Sequence, residues 1–243
     1  DDQRKLMLEG LNQADADYLK MRAVLLSNAV PPAFTFDPTI VRGGPQTPRP
    51  AGRTAASAAK HVTPPGSKDD VAFAPVTLLS EWLRRKAISS TELTKLYLER
   101  IERLDPKLHA VITLTPERAL KQAAAADAEI AKGRWRGPVH GVPYGAKDLL
   151  AVAGYKTTWG SVPFKDQVLN ETASVVERLD GAGAVLIAKP AVGELAWGDV
   201  WFGGMCRNPW KLDQGSSGSS AGSASLTAAG CVGFAIGTET WGS

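Results

Sequence analysis

The sequence predicts an α/β fold in which helices cover a β-sheet. From about Val71 onward, strand-like segments alternate with amphipathic helical segments, an order typical of α/β proteins. In such folds the loops at the carboxyl ends of the strands carry the ligand. Lys147, the Gly/Ser-rich loop at 215–223 and Ser243 fall at positions of that kind. These loops are therefore the first candidates for a functional site.

The first 70 residues predict one helix followed by an irregular segment. Apolar residues at partly helical spacing between Asp1 and Asn28 indicate the helix, and Pro31-Pro32 ends it. Residues 31–70 are rich in Pro, Gly, Thr and Ala, which predicts an extended strap. We therefore expect an N-terminal region at 1–70 and a domain at 71–243.

The domain opens with two predicted helices. Leu78–Lys86 reads as a short amphipathic helix, and Ser89-x-x-Glu92 is a capping box that starts a second one. Asp105-Pro106 is predicted to stop the second helix, because proline cannot continue the hydrogen-bond ladder. Its apolar face comprises Leu93, Leu96, Tyr97, Ile101 and Leu104.

The remaining elements follow from turn residues and apolar runs. Proline is favoured in the first turn of a helix and glycine just past the last one, so Thr115-Pro116 opens an Ala-rich helix that ends at Gly133. The other predicted elements are strands at Ala110–Leu114, Val139–Lys147, Ala184–Ala188 and Cys231–Ile236 and helices at Ala173–Gly181 and Ala224–Gly230.

Composition excludes several classes of protein. A net charge of +3 is too small to indicate a nucleic-acid partner, and no apolar run is long enough for a membrane span. Cys206 and Cys231 show neither metal-ligand spacing nor a disulfide framework, so we expect both to be buried. The three histidines encourage neither a zinc site nor a Ser-His-Asp triad. We expect no cofactor and no metal.

The ends of the sequence suggest a portion of a longer chain. It begins at Asp1 without Met, and it stops directly after a motif at Ser243. The compartment stays undecided: cytoplasmic, or periplasmic or secreted if a signal peptide preceded Asp1.

The stretch from Gly215 to Ser243 carries the chemistry. Serines alternate with glycines at 215–223, and a second serine-bearing turn follows the apolar strand. A helix–strand unit between the two turns can aim two hydroxyls at a common point. A flexible Gly/Ser linker is the alternative, but linkers do not normally run into an Ala-rich helix and an apolar strand. A phosphate-binding P-loop is excluded because its lysine motif is missing.

Three motifs resemble those of the amidase signature family. His140-Gly-Val-Pro-Tyr-Gly-Ala-Lys147-Asp148 is similar to its lysine motif, Gly218-Ser-Ser-Ala-Gly-Ser223 to its Gly/Ser loop, and Glu239-Thr-Trp-Gly-Ser243 to its nucleophile turn. The resemblance covers about residues 71–243, in order. It implies a mixed β-sheet covered by helices on both faces, of which this chain contains only the N-terminal part.

The resemblance also implies a Ser-cisSer-Lys triad. Lys147 matches the base, Ser219 the bridging serine and Ser243 the nucleophile. The oxyanion and substrate positions correspond to Ser220, Thr240, Trp241 and Gly242. Three residues depart from the usual pattern: Trp241 and Ala221 replace glycine, and Glu239 replaces aspartate.

A lysine base requires a lowered pKa. The ordinary pKa of a lysine side chain in water is about 10.4, so a neutral amine near pH 7 needs a shift of about three units, or roughly 4 kcal/mol. Desolvation can supply it, and Lys147 lies among small and apolar residues. Asp148 would oppose the shift unless its side chain points away or caps the following turn.

The resemblance implies hydrolysis of a carboxylic amide through a serine acyl-enzyme. Open alternatives are the glutamine-hydrolysing subunit of a tRNA-dependent amidotransferase, an ester or carbamate hydrolase, and a non-catalytic binding module with Trp241 blocking the pocket. The long N-terminal extension argues against the amidotransferase.

The expected partner is a small-molecule amide, and the formation of a homodimer stays open. Trp159, Trp197, Trp201, Phe202 and Trp241 suggest an apolar or aryl-bearing substrate, although most aromatic residues serve packing.

Overall fold

The computed structural model describes residues 2–25, 63–64 and 66–239, in two compact units, Asp1–Ala56 and Ser57–Ser243. In the first unit, helix α1 spans Asp2–Arg22. Its acidic first turn and basic last turn complement the helix dipole. The prediction that Pro31-Pro32 ends this helix is wrong, because α1 already ends at Arg22 and residues 23–25 are not helical. Residues 31–62 of the predicted strap lie outside the described residues.

The second unit carries the sheet and the candidate site. Its described helices are α2 (Lys68–Ala72), α3 (Val76–Arg84), α4 (Ser90–Leu108), α5 (Pro116–Ala131), α6 (Ser174–Gly181) and α7 (Ala221–Ala228). Its described strands are β1 (Val111–Leu114), β2 (Pro143–Ala146), β3 (Val185–Pro190), β4 (Val200–Trp201), β5 (Gly204–Met205), β6 (Arg207–Asn208), β7 (Lys211–Gly215) and β8 (Phe234–Ile236).

Four strands form a mixed sheet in the order β1-β3-β2-β8. β1 is antiparallel to β3, whereas β2 is parallel to both β3 and β8. The register pairs Tyr144 with Phe234 and Ala146 with Ile236, so β2 and β8 end at the same edge of the sheet. Two short hairpins, β4–β5 and β6–β7, lie in the chain between β3 and α7.

Both faces of the sheet are covered by helices, which confirms the predicted fold class. Side chains that alternate along β3 enter two separate cores, because successive residues of a strand point to opposite faces. Val185 and Ile187 pack with residues of α3, α4, α5 and α7. Leu186, with Tyr144 and Ala146 of β2, packs against α6.

Helix α4 shows where the sequence prediction holds and where it fails. The capping box is present: Ser89 Oγ accepts from the Glu92 N–H at 3.0 Å, and the Glu92 carboxylate accepts from the Ser89 N–H at 2.8 Å. The predicted stop at Asp105-Pro106 is wrong, because the helix continues to Leu108. Proline so close to the end removes few ladder bonds, and burial of Leu108 favours the extra turn.

Several other boundaries differ from the prediction. α3 begins two residues early, β2 begins only at Pro143, and α7 begins at Ala221. α2 includes residues 68–70, which the sequence assigned to the extended strap; Ser67 caps it by accepting from the Asp70 N–H. The strand predicted at Cys231–Ile236 begins only at Phe234. Residues 231–233 form bends instead, and Gly233 passes so close to Val142 that an added Cβ would lie 2.8 Å from one of its methyl carbons.

Cys206 and Cys231 are both fully buried and unpaired, as the sequence predicts. Among the described residues, no helix combines the length and the apolar character that a bilayer span requires.

Candidate active site

Lys147 follows β2 directly and is completely buried. Its main-chain N–H donates to the carbonyl oxygen of Ile236 at 3.1 Å, which continues the pairing of β2 with β8. Its amine lies within hydrogen-bond distance of three hydroxyls: Ser219 Oγ at 2.8 Å, Ser220 Oγ at 3.2 Å and Thr238 Oγ1 at 2.6 Å. The structure thus brings the predicted base together with the predicted bridging serine.

The pKa of Lys147 is lowered to about 8 by burial, and the charge of Glu239 opposes this shift. Burial disfavours the ammonium form, whereas a nearby carboxylate favours it. At pH 7 about one molecule in ten would then carry the neutral amine. A neutral amine has a lone pair, so it can accept a proton from one of the three hydroxyls.

The side chain of Asp148 is engaged elsewhere. Its Oδ1 forms an ion pair with the buried Lys189 Nζ at 2.6 Å, without the alignment of a hydrogen bond. Its Oδ2 accepts from the Thr158 N–H at 2.8 Å and from Thr158 Oγ1 at 2.5 Å. The amine of Lys189 also donates to Thr157 Oγ1 at 2.7 Å and to the carbonyl of Lys156. The Asp148–Lys189 pair therefore holds the 156–158 segment, and the pKa of Lys147 is set by burial and Glu239.

The loop at 216–220 is fixed by hydrogen bonds on both sides, and its peptide bond between Gly218 and Ser219 is cis. The Ser219 carbonyl accepts from the Gly193 N–H at 3.1 Å, and the Ser217 N–H donates to Asp199 Oδ2 at 3.1 Å. A Cβ on Gly218 would collide with the Gly198 carbonyl oxygen, so only glycine allows this close approach. These contacts exclude the flexible-linker alternative.

Ser220 joins the loop to the turn after β8. Its hydroxyl donates to the Thr238 carbonyl at 3.0 Å and accepts from the Thr238 N–H at 3.0 Å. The same oxygen is the most distant of the three that contact the Lys147 amine. The two hydrogen bonds of the Ser220 hydroxyl with the Thr238 backbone thus fix the position of Thr238. Contact of Ser220 with a substrate stays a prediction.

Thr238 is the contact that sequence reasoning missed. It follows β8 by two residues, and Lys147 follows β2 by one. In a parallel pair, the residues just past the strand ends meet at one edge of the sheet. Had the pairing of these two strands been predicted, the proximity of Thr238 and Lys147 would have followed.

Thr240, Trp241, Gly242 and Ser243 lie outside the described residues. The predicted nucleophile and the predicted oxyanion N–H groups therefore stay predictions. Among the residues that are described, no group of three or more His, Cys, Asp and Glu side chains is placed to bind a metal ion.

A cleft of about 310 Å³ opens beside the lysine. Ser219 and Thr238 line it, together with Asp199, Trp197 and Glu239. Of the aromatic residues that the sequence singles out, Trp197 alone among those described lines this cleft. Two of the others are engaged in packing or hydrogen bonds: Trp159 packs against Phe164, and Trp201 donates to the His109 carbonyl at 3.0 Å.

The Amidase family model matches residues 92–243. The chain belongs to this family. It is 45% identical over 168 residues to a glutamyl-tRNA(Gln) amidotransferase subunit of Methylococcus capsulatus, a match that covers 68% of this chain and 34% of that protein.

Solved structures of amidases are also similar to this chain. The peptide amidase of Stenotrophomonas maltophilia is 40% identical with a TM-score of 0.64, and the match covers 68% of this chain and 36% of that one. A bacterial aryl acylamidase of the amidase signature family is 29% identical with a TM-score of 0.62, covering 66% of this chain and 34% of that one. The chain thus spans about a third of the length of the relatives it matches.

Proposed function

We propose that the full-length protein is an amidase that hydrolyses a carboxylic amide through a serine acyl-enzyme. The observation that carries the proposal is the contact of the buried Lys147 amine with Ser219 Oγ at 2.8 Å. Family membership and the similarity to two amidases support the reaction class. The proposed roles are Lys147 as base, Ser219 as proton relay and Ser243 as nucleophile.

The first step activates the nucleophile. A serine hydroxyl is a weak nucleophile until a neighbouring group takes its proton. Neutral Lys147 accepts the proton of Ser219 as Ser219 takes the proton of Ser243, and Ser243 Oγ attacks the amide carbonyl. The hydrogen bonds that the lysine amine donates to Thr238 Oγ1 and Ser220 Oγ keep it in place beside Ser219.

The following steps return the proton. Backbone N–H groups of residues 240–243 stabilise the oxyanion, and preorganised donors of this kind commonly contribute a factor of about 10²–10³ to kcat. The protonated lysine, through Ser219, donates a proton to the leaving nitrogen, and the amine departs. Water then attacks the acyl-enzyme with the same groups acting as base, which releases the acid. No cofactor or metal enters this sequence.

The 45% identity to an amidotransferase component favours a second candidate: a glutamine-hydrolysing subunit that works with partner subunits. Ester and carbamate hydrolysis also follow from the same acyl chemistry. For the leading candidate we propose a small-molecule amide as the substrate and no nucleic-acid partner. The formation of a homodimer stays open.

The proposed function is tested by incubating the full-length protein with a primary amide and measuring the ammonia that is formed. We expect it to hydrolyse a small alkyl or aryl amide at a rate that EDTA leaves unchanged, because the mechanism needs no metal. Glutamine serves as the comparison substrate. Hydrolysis of glutamine without hydrolysis of any other small amide, with or without an amine, would favour the amidotransferase candidate. Activity that is lost on chelation and restored by zinc would contradict the serine mechanism.

The dependence of kcat/KM on pH should follow the deprotonation of Lys147. If Lys147 must be neutral in the free enzyme, kcat/KM rises with pH through a midpoint near its pKa of about 8. The carboxylate of Glu239 stabilises the ammonium form, so Glu239→Gln lowers the pKa of Lys147 and moves the midpoint to lower pH. Because Glu239 is exposed, solvent limits the shift to a fraction of a pH unit. Glu171→Gln, at an exposed position outside the lining of the cleft, is the matched control. An upward shift or an unchanged midpoint in Glu239→Gln would contradict the assigned cause.

A further inference from the structure

Asp199 is a half-buried acidic residue in the wall of the cleft that contains Ser219. One oxygen of its carboxylate, Oδ2, accepts the Ser217 N–H at 3.1 Å. In the described part of the chain, no Lys, Arg or His nitrogen lies within ion-pair distance of this carboxylate. A partly desolvated carboxylate without a cationic partner favours the binding of a cation.

Trp197 lines the same cleft, and 72% of the residue is exposed. A defined turn holds it there: its N–H donates to the Glu194 carbonyl at 3.0 Å, and the Leu195 N–H donates to the Trp159 carbonyl at 2.8 Å. Leu195 and Ala196 adopt φ values of 49° and 65°, which side-chain-bearing residues adopt only at a cost. The turn therefore fixes the position of Trp197 in the wall of the cleft, and the face of an indole ring attracts cations.

The described residues that line the cleft carry negative charge. The charged ones among them are Asp199 and Glu239, both acidic. The nearby cation, Lys147, is buried and donates to three hydroxyls. A cationic substrate group would thus meet acidic residues and an aromatic face on entering the cleft, whereas an anionic group would be repelled.

We propose that Asp199 and Trp197 bind an ammonium group of the substrate, and that the enzyme selects small amides bearing a primary amine. The proposal rests on the proposed function, because it assigns the substrate class of the same site. A cleft of about 310 Å³ accommodates a ligand the size of an amino-acid amide. The alternative is that Asp199 only supports the Ser217 N–H; Asp199→Asn separates the two roles, because asparagine keeps an acceptor oxygen and loses the charge.

The test is a comparison of two amides that differ only in the amine. Binding of δ-aminovaleramide and of valeramide to full-length Ser243→Ala protein is measured by calorimetry near pH 7, where the amine is protonated. We expect the amine-bearing amide to bind about tenfold more tightly, and the preference to shrink as salt is added. Asp199→Asn should remove the preference while leaving the affinity for valeramide unchanged. Trp197→Ala should reduce it more than Trp197→Phe, which keeps an aromatic face.

The matched control is Asp213→Asn, which removes the same charge at an exposed position outside the lining of the cleft and should leave the preference unchanged. Equal affinities for the two amides, or no binding of δ-aminovaleramide, would overturn the proposal. So would an equal loss of both affinities in Asp199→Asn, which would mark Asp199 as a support for the loop. Hydrolysis by protein that retains Ser243 is measured separately: a binding preference without turnover of either amide would contradict the proposed function and the substrate selection that rests on it, while Asp199 and Trp197 would stand as an ammonium-binding site.

Discussion

Replacing Lys147 with methionine is expected to lower kcat/KM by about 10³–10⁵-fold, because the chain then lacks the group that takes the proton of Ser219. Methionine fills much of the buried space but has no basic nitrogen. The residual rate should lose the rise with pH near 8, since the group responsible is the lysine amine. Steady-state hydrolysis of a neutral amide between pH 6 and 10 measures both effects.

Lys147→Arg refines this prediction. Arginine keeps the positive charge and the donors but does not deprotonate in proteins, so it should be as inactive as methionine if the neutral amine is required. Lys165→Met, at an exposed position, is the matched control and should keep full activity. A thermal melt checks that each variant is folded. A folded Lys147→Met protein with the wild-type rate would rule out this lysine as the base.

Ser243→Ala is expected to abolish covalent labelling by a fluorophosphonate, whereas Ser219→Ala should slow labelling without moving it. The reason is the placement of the two hydroxyls. Ser219 Oγ is hydrogen-bonded to the proposed base and lies in the Gly/Ser loop, whereas Ser243 closes a Trp-Gly-Ser turn whose N–H groups are proposed to face the acyl carbonyl. Mass spectrometry of the labelled peptides identifies the modified serine.

The two serines should also differ in residual activity. A proton relay is bypassed more easily than a nucleophile, so Ser219→Ala should retain more kcat than Ser243→Ala. The matched control is Ser216→Ala in the same loop. The Ser216 hydroxyl donates to the carbonyls of Ser217 and Ala221 and has no proposed part in the proton transfer, so its loss should leave kcat nearly unchanged. An adduct on Ser219 of the wild-type protein would invert the assignment of the two serines.

Local sequence signals predicted much of the fold. The capping box at Ser89 and Glu92 acts within one helical turn, so its effect can be read from four residues. Similarly, Pro116 marks the start of α5. The stop at Pro106 was predicted wrongly because the burial of Leu108 depends on tertiary packing, which no local pattern contains.

The candidate site was only partly predictable for the same reason. Lys147, Ser219 and Ser220 were identified through motifs, and the structure brings all three together. Thr238 was missed because its role depends on the pairing of β2 with β8, which are far apart in the chain. The pair of Asp148 and Lys189 had no local signal either, since a buried lysine and a surface lysine look alike in a sequence.

The contact between Lys147 and Thr238 joins residues 91 positions apart in the chain. During translation, at about 5–20 residues per second, the lysine leaves the ribosome roughly 5–20 s before the threonine. Throughout that interval β8 cannot dock on β2, so the amine stays hydrated and keeps the proton that solvated lysines carry at neutral pH. If Lys147 is the base, as we propose, a nascent chain cannot use it before β8 has been added. The lowered pKa of Lys147 thus depends on the pairing of β2 with β8.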